Sequence, residues 1–153
     1  MSLQPTKEVR DKLEKILSLD EDEIFFFVFT LDKNQAKIID LATNKQLFED
    51  SVNADNVILG DYSPFTYEEK VRRFGTSFPR AITLFEEGDL YGSYSVKVFK
   101  NGTFEIQADT IKDGEDLEDR FGNLKGLTDE SIEILCQFVV EDIVLFIRDK
   151  LGI

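Results

Sequence analysis

The chain has 153 residues, of which 42% are hydrophobic and 14 are Phe, and it carries a formal net charge of −13 with no histidine. The length and apolar content suit one domain with a sizeable core, whereas the lack of histidine excludes the commonest general base and the commonest metal ligand. The negative charge disfavours a broad surface that binds nucleic-acid phosphates. The single cysteine, Cys136, excludes an intramolecular disulfide, and its place in an apolar run predicts a small buried side chain.

The first third of the chain predicts three helices. Residues 5–19 are amphipathic, with an apolar stripe made of Val9, Leu13, Ile16 and Leu17. Four acids at 20–23 precede the apolar run 24–29, which fits either a helix or a buried strand; the leading acids favour the helix. A third helix is predicted over 34–48, with a buried face made of Ile38, Leu41, Ala42 and Phe48.

The middle of the chain predicts a loop followed by a short helix with positive charge. Between 49 and 63 the periodicity fails, and Asn, Asp and Gly accumulate around an apolar island at 57–59. Thr66 and Glu69 have capping-box spacing for a helix that ends near Phe74. This helix and the residues after it form a basic neighbourhood that consists of Lys70, Arg72, Arg73 and Arg80. Such a neighbourhood is more often a solvated face than a phosphate site, and in a chain this acidic it is also a natural partner for an acidic surface on another copy.

The stretch 94–108 predicts a β-hairpin. Alternating residues flank Asn101-Gly102, a pair that suits a type I′ turn with positive φ at both positions. The alternation places Phe104, Ile106 and Ala108 on one buried face. A further strand is expected over 81–85, so that the sheet occupies 81–109.

An acidic loop is expected over 110–127. Residues 105–120 contain seven acids and two basic residues, a local charge of −5, but they lack the ligand series of a calcium loop. One or two helical turns are expected over 115–121. A last helix over 128–151 starts at Thr128 and carries an apolar stripe that consists of Ile132, Leu135, Cys136, Val139, Ile143, Phe146 and Ile147.

These elements predict one α+β domain with N-terminal helices, a central antiparallel sheet based on a β-hairpin, and a C-terminal helix. In chain order they are helices at about 5–48, a loop and short helix at 49–75, the sheet at 81–109, the acidic loop at 110–127 and the helix at 128–151.

The sequence contains no recognisable catalytic constellation. It has no glycine-rich phosphate loop, no Cys/His metal spacing and no nucleophile elbow, so we expect no catalytic residue, no metal and no cofactor. Tyr91 and Ser93 could act in acid/base or nucleophilic chemistry only beside an activating base, and Lys97 is the nearest candidate. The first residues lack a signal-peptide pattern and no apolar run is long enough to cross a bilayer, so we expect a soluble protein made in the cytoplasm.

The order of several short segments resembles a group of virion proteins from tailed bacteriophages. In that group a succession of the form QLF…LGxYSxxT…K…VTL…TGxFYxSFxV precedes ADxxx…LxxxFG…ILGLT and a closing helix. The corresponding segments here are QLFE at 46–49, ILGDYSPFT at 58–66, Lys70, RAITL at 80–84, GDLYGSYSV at 88–96, AD at 108–109, Leu117, RFG at 120–122 and LKGLT at 124–128. The resemblance covers roughly residues 34–150. Such proteins occur in phages of Bacteroidetes hosts, including crAss-like phages, and the Gly-x-Leu-x-x-Ser core also looks like the tail-completion family of head-to-tail connectors.

The resemblance implies a structural subunit of the phage neck or tail, assembled in the host cytoplasm and located in the virion. It implies a homo-oligomeric ring, expected to contain about twelve copies, through which DNA passes without specific binding. Its other partners would be neck, portal or tail proteins, with no membrane. We expect complementary charges to join neighbouring copies, and the candidate interface residues are Lys70, Arg72, Arg73, Arg80, Asp113, Glu115, Asp116 and Asp119.

Two other readings remain open at this point. An acidic inhibitor or DNA mimic would use its carboxylates to imitate phosphates, and it would bind a basic partner with strong salt dependence. A small-molecule enzyme built on Tyr91 or Ser93 would need a deep pocket beside the hairpin.

Overall fold

Helices form most of the computed structural model, which describes residues 6–86 and 88–153. In chain order the helices are α1 (Lys7–Leu17), α2 (Glu21–Thr30), α3 (Asp32–Asp40), α4 (Pro64–Phe74), the single turn α5 (Asp89–Gly92), α6 (Leu117–Phe121) and α7 (Asp129–Leu151). Two antiparallel hairpins pair β1 (Ser95–Phe99) with β2 (Thr103–Gln107) and β3 (Ile111–Lys112) with β4 (Glu115–Asp116). The α+β class is therefore as predicted.

The apolar run 24–29 is helical, which confirms the preferred reading over a strand. Asp20 begins α2 because its side chain accepts a hydrogen bond from the Asp22 amide at 2.9 Å. Three further acids in the first turn interact favourably with the positive end of the helix dipole and so stabilise α2. Helix α2 then packs its rings on the first hairpin, since Phe29 and Phe104 lie 5.2 Å apart between ring centroids.

The predicted third helix is present but changes its geometry halfway. Helix α3 continues as a π-helix over Leu41–Glu49, in which the Asp50 amide bonds the Lys45 carbonyl five residues earlier at 2.9 Å. Ile38, Leu41 and Ala42 are buried as expected, while Phe48 is half-buried. The buried Gln46 in this segment accepts a hydrogen bond from the Thr128 amide and donates one to the Gly126 carbonyl. The π-helix thus holds the start of α7.

The first hairpin is confirmed, but its predicted turn type is wrong. Phe99 pairs with Thr103, which leaves three residues in the loop, and only Gly102 among them has positive φ. A three-residue loop that ends in a left-handed glycine satisfies the twist of the strands without positive φ at Asn101. The faces are as predicted: Ile106 is buried, Phe104 and Ala108 are half-buried, and Glu105 is exposed.

The strand predicted over 81–85 does not form. Ala81 makes one isolated bridge to Asp61, and the Ile82 amide bonds the Gly60 carbonyl at 2.8 Å, so this segment pairs with the loop and not with the hairpin. Leu84 then has φ of 56°, which ends any extended run. The helical turn α5 lies between this segment and β1.

The predicted acidic loop over 110–127 is partly ordered as a second hairpin. Asp113 and Gly114 both have positive φ, 51° and 81°, which is the conformation of a type I′ turn. Asp113-Gly114 is itself a hairpin signal, whereas the loop was predicted from the high local charge of this stretch. Helix α6 follows at Leu117 and is capped by Asp116, whose side chain accepts from the Glu118 amide. The expected helical turns are therefore present.

Both remaining helices differ in detail from their predicted patterns. Ser63, and not Thr66, caps α4, because the Ser63 hydroxyl accepts from the Thr66 amide and Pro64 occupies the first turn. In α7 the predicted stripe is rotated: Leu135, Val139 and Phe146 are buried, but Cys136 is exposed, so its predicted burial is wrong.

Candidate interface surfaces

Helix α4 presents only part of the predicted basic neighbourhood to solvent. Lys70 is buried, with 8% of its surface exposed. Its ammonium lies 5.3 Å from the Tyr62 ring centroid and 5.8 Å from those of Phe74 and Phe78, and it donates to the Phe85 carbonyl at 2.8 Å. These contacts tie α4 to the segment after it, so the interface prediction does not hold for Lys70.

Burial also makes the charged form of Lys70 less favourable than it is in water. Removal from water lowers the pKa of its ammonium, and the nearby Arg73 charge lowers it further. The ring faces offset part of that cost through cation–π attraction, and the Phe85 carbonyl offsets part of it by accepting a hydrogen bond from the ammonium. Lys70 is therefore a structural residue of a small aromatic core, made of Tyr62, Phe74, Phe78, Phe85 and Tyr91.

The three arginines of the neighbourhood are exposed. The Arg73 guanidinium lies 3.6 Å from a Glu86 carboxylate oxygen and 5.1 Å from the Phe74 ring centroid. Arg80 lies over the Tyr67 ring at 5.1 Å, and Arg72 faces solvent. These side chains remain candidates for contact with another molecule.

The acidic candidates divide in the same way. Asp113, Glu115 and Asp119 are exposed, but Asp116 is half-buried. The Asp116 carboxylate accepts a hydrogen bond from the Thr110 hydroxyl at 2.7 Å, and this bond, together with the one from the Glu118 amide, lowers the pKa of Asp116. Asp116 thus serves the junction between the second hairpin and α6.

The structure brings the basic and acidic neighbourhoods together within one chain. Glu86 forms ion pairs with both Arg73, on α4, and Lys112, on β3. A cavity of about 320 Å³ lies between the two neighbourhoods, and Lys70, Glu86, Lys112 and Arg120 are among its lining residues. Two surfaces that meet head to tail across a ring lie on different sides of the subunit. Side-by-side surfaces joined by Glu86 do not fit that arrangement.

The hydroxyls of Tyr91 and Ser93 form hydrogen bonds with backbone groups of the chain. Tyr91 donates to the Thr83 carbonyl at 2.5 Å, and burial raises the pKa of its hydroxyl far above the usual value. Ser93 donates to the Leu90 carbonyl at 2.6 Å and accepts from the Asp109 amide at 2.9 Å. Both groups therefore hold α5 in place, and Lys97, on the first hairpin, has its ammonium over the Phe99 ring at 5.3 Å.

An exposed apolar surface on α1 is the feature that the sequence pattern did not reveal. Helix α1 packs on α7, yet none of its eleven described residues is buried. Its whole stripe remains exposed, from 45% for Ile16 to 84% for Leu17, and we call these residues the α1 ridge: Val9, Leu13, Ile16 and Leu17. Amphipathic spacing predicts an apolar face but does not tell whether the same chain covers it.

A second surface, which combines apolar and acidic residues, lies at the amino-terminal end of α7. Val57 and Ile58 are exposed at the tip of the loop before α4, where Val52 and Ile58 form an isolated bridge. A cavity of about 410 Å³ next to them is lined by Ala54, Asp55, Asn56, Leu127, Thr128, Asp129 and Glu130. We call Asp55, Val57, Ile58, Asp129 and Glu130 the acidic end.

Over residues 6–86 and 88–153, no group of three or more metal-ligating side chains could hold a metal ion. None of the helices in the described part of the chain combines the length and apolar character needed to cross a membrane. Comparison of the chain with protein families, characterised proteins and solved structures finds no match to any of them.

Proposed function

We propose that the chain is a structural virion protein of a tailed bacteriophage, which forms a homo-oligomeric ring in the neck or tail. The observation that carries this proposal is the α1 ridge, an amphipathic helix whose apolar residues all remain exposed in the single chain. Exposed apolar stripes of this kind mark protein interfaces. The succession of segments shared with phage virion proteins supports the same conclusion.

The charge of the chain suits a passage for DNA. With a net charge of −13 and exposed carboxylates at Asp113, Glu115 and Asp119, the subunit would repel the phosphate backbone. A ring that presents such residues to its channel lets the genome slide without specific binding. Its neighbours along the passage would be other neck, portal or tail proteins.

The proposal is tested by the assembly state of the purified chain. Light scattering coupled to size-exclusion chromatography should give one large homo-oligomer, and negative-stain electron microscopy should show closed rings. Mass spectrometry of the parent particle should find the chain in neck or tail fractions. A chain that stays monomeric at every concentration, or that binds a basic DNA-binding protein with strong salt dependence, would contradict the ring and favour an acidic inhibitor.

A further inference from the structure

The α1 ridge and the acidic end are built from different parts of the chain. Helix α7 has 23 residues and is about 34 Å long. Thr128 and Asp129, at its start, line the cavity of the acidic end. Near its other end, Lys150 pairs at 3.0 Å with Glu23, in the first turn of α2, and α1 stops four residues before α2 begins. The carboxyl-terminal end of α1 is thus followed closely by residues that contact the carboxyl-terminal end of α7, whereas the acidic end lies at the amino-terminal end of α7.

The two surfaces are complementary in charge as well as in apolar character. Helix α1 has a net charge of +1 in a chain of −13, from the basic residues Lys7, Arg10, Lys12 and Lys15 against Glu8, Asp11 and Glu14. The acidic end has three carboxylates, one of which, that of Glu130, lies 3.4 Å from the Lys45 ammonium. Among the described residues that line its cavity, none is basic.

We propose that the α1 ridge of one copy docks on the acidic end of the next copy of this chain. The proposal rests on the ring put forward above and names the surfaces that build it. Val57 and Ile58 would pack against the apolar stripe of α1, and the basic residues of α1 would face Asp55 and Asp129. Two different surfaces of one subunit that bind each other join copies head to tail and produce a closed ring or an open filament. The net charge of −13 disfavours the other usual partner of an amphipathic basic helix, an anionic membrane.

Two substitutions test the two surfaces separately. Leu17 is 84% exposed and Ile58 is 75% exposed, so Leu17→Glu and Ile58→Glu should leave the fold intact. Each substitution replaces an apolar side chain in the proposed contact by a carboxylate, which would have to be buried there. Self-association should therefore weaken by about 30-fold or more, the loss typical of a central interface residue. Phe65→Glu is the matched control, because Phe65 is 72% exposed, lies outside both surfaces, and an acid suits its position in the first turn of α4.

Mixing the two variants gives the decisive result. The Leu17→Glu chain keeps an intact acidic end and the Ile58→Glu chain keeps an intact α1 ridge, so an equimolar mixture should form a one-to-one dimer by analytical ultracentrifugation. Growth beyond the dimer is blocked, since the remaining contact would bring two glutamates together. The Phe65→Glu control should assemble like the wild type.

Several outcomes would overturn this interface. These outcomes are assembly of either variant like the wild type, a mixture that stays monomeric, and sedimentation of the wild type with phosphatidylserine vesicles that is lost in Leu17→Glu. If the wild type and both variants form the same rings, only the assignment of the surfaces is wrong. A wild-type chain that never associates overturns the proposed function as well.

Discussion

Gly102 allows the first hairpin to pack closely against α2, and its replacement by alanine gives a measurable test of that packing. Its φ is +82°, and a Cβ there would lie 2.3 Å from the Asp22 carboxylate oxygen. A left-handed L-residue costs about 1–2 kcal/mol, of which about 0.4–1 kcal/mol is offset by the stiffer unfolded chain. Displacement of the Asp22 side chain from its rotamer adds about 1 kcal/mol. Gly102→Ala should therefore lower the free energy of unfolding by about 2 kcal/mol.

The two contributions can be separated by urea unfolding followed by circular dichroism. Gly114 has nearly the same φ, +81°, with no described atom within 4 Å of an added Cβ, so Gly114→Ala should cost only about 1 kcal/mol. In an Asp22→Ala background, Gly102→Ala should lose its excess cost over Gly114→Ala. An equal cost for both glycine substitutions in the wild-type background, or an excess that persists without the Asp22 carboxylate, would refute the close packing of this turn on α2.

Three further predictions concern a buried carboxylate, a buried hydroxyl and the exposed acids. Asp142 is buried and accepts from Lys33 and Asn34, which lowers its pKa, so Asp142→Ala should cost about 2 kcal/mol near neutral pH. Because the carboxylate is favoured in the folded state, its contribution is complete above the ordinary pKa of 3.8 and is lost as the pH falls through the lower folded value; unfolding from pH 7 to pH 3 measures this. Tyr91→Phe leaves the Thr83 carbonyl without its donor and should cost about 1–2 kcal/mol, with the assembly state by light scattering unchanged. Charge reversal of three exposed acids should spare particle assembly and hinder genome delivery, measured as infectivity per assembled particle, and unchanged infectivity would count against an acidic channel; the residues are Asp113, Glu115 and Asp119.

Features set by neighbouring residues could be predicted from the sequence. Helix α2 follows from the acids at its start, and the first hairpin follows from alternation on both sides of Gly102, because caps and alternation are local signals. The turn type was missed because Asn-Gly fits both a two-residue loop and a three-residue loop. Only the register, with Phe99 opposite Thr103, distinguishes them.

Features set by distant residues could not be predicted in this way. The sequence alone indicates a surface charge at Lys70, because nothing in the neighbouring residues shows that Tyr62 and Phe78 cover its ammonium. The sequence likewise predicts a strand over 81–85, whereas the fold directs the hydrogen bonds of this segment to the preceding loop. Cys136 lies in an apolar run but faces solvent, while the buried Asp142 lies on the core face of the same helix. The contact between the two charged neighbourhoods has the same origin. They are distant in the sequence, but Glu86 forms ion pairs with both of them in the folded chain.

The length of α7 has a geometric consequence for the proposed assembly. A straight helix of 23 residues is stiff, and each residue contributes about 1.5 Å along its axis. Within each copy α7 is therefore a stiff spacer between the acidic end, at its start, and the first turn of α2, which Lys150 contacts near its other end. A one-turn insertion in the middle of α7 would move these two points apart by about 5.4 Å, and the spacing of neighbouring copies in the proposed assembly would change with it.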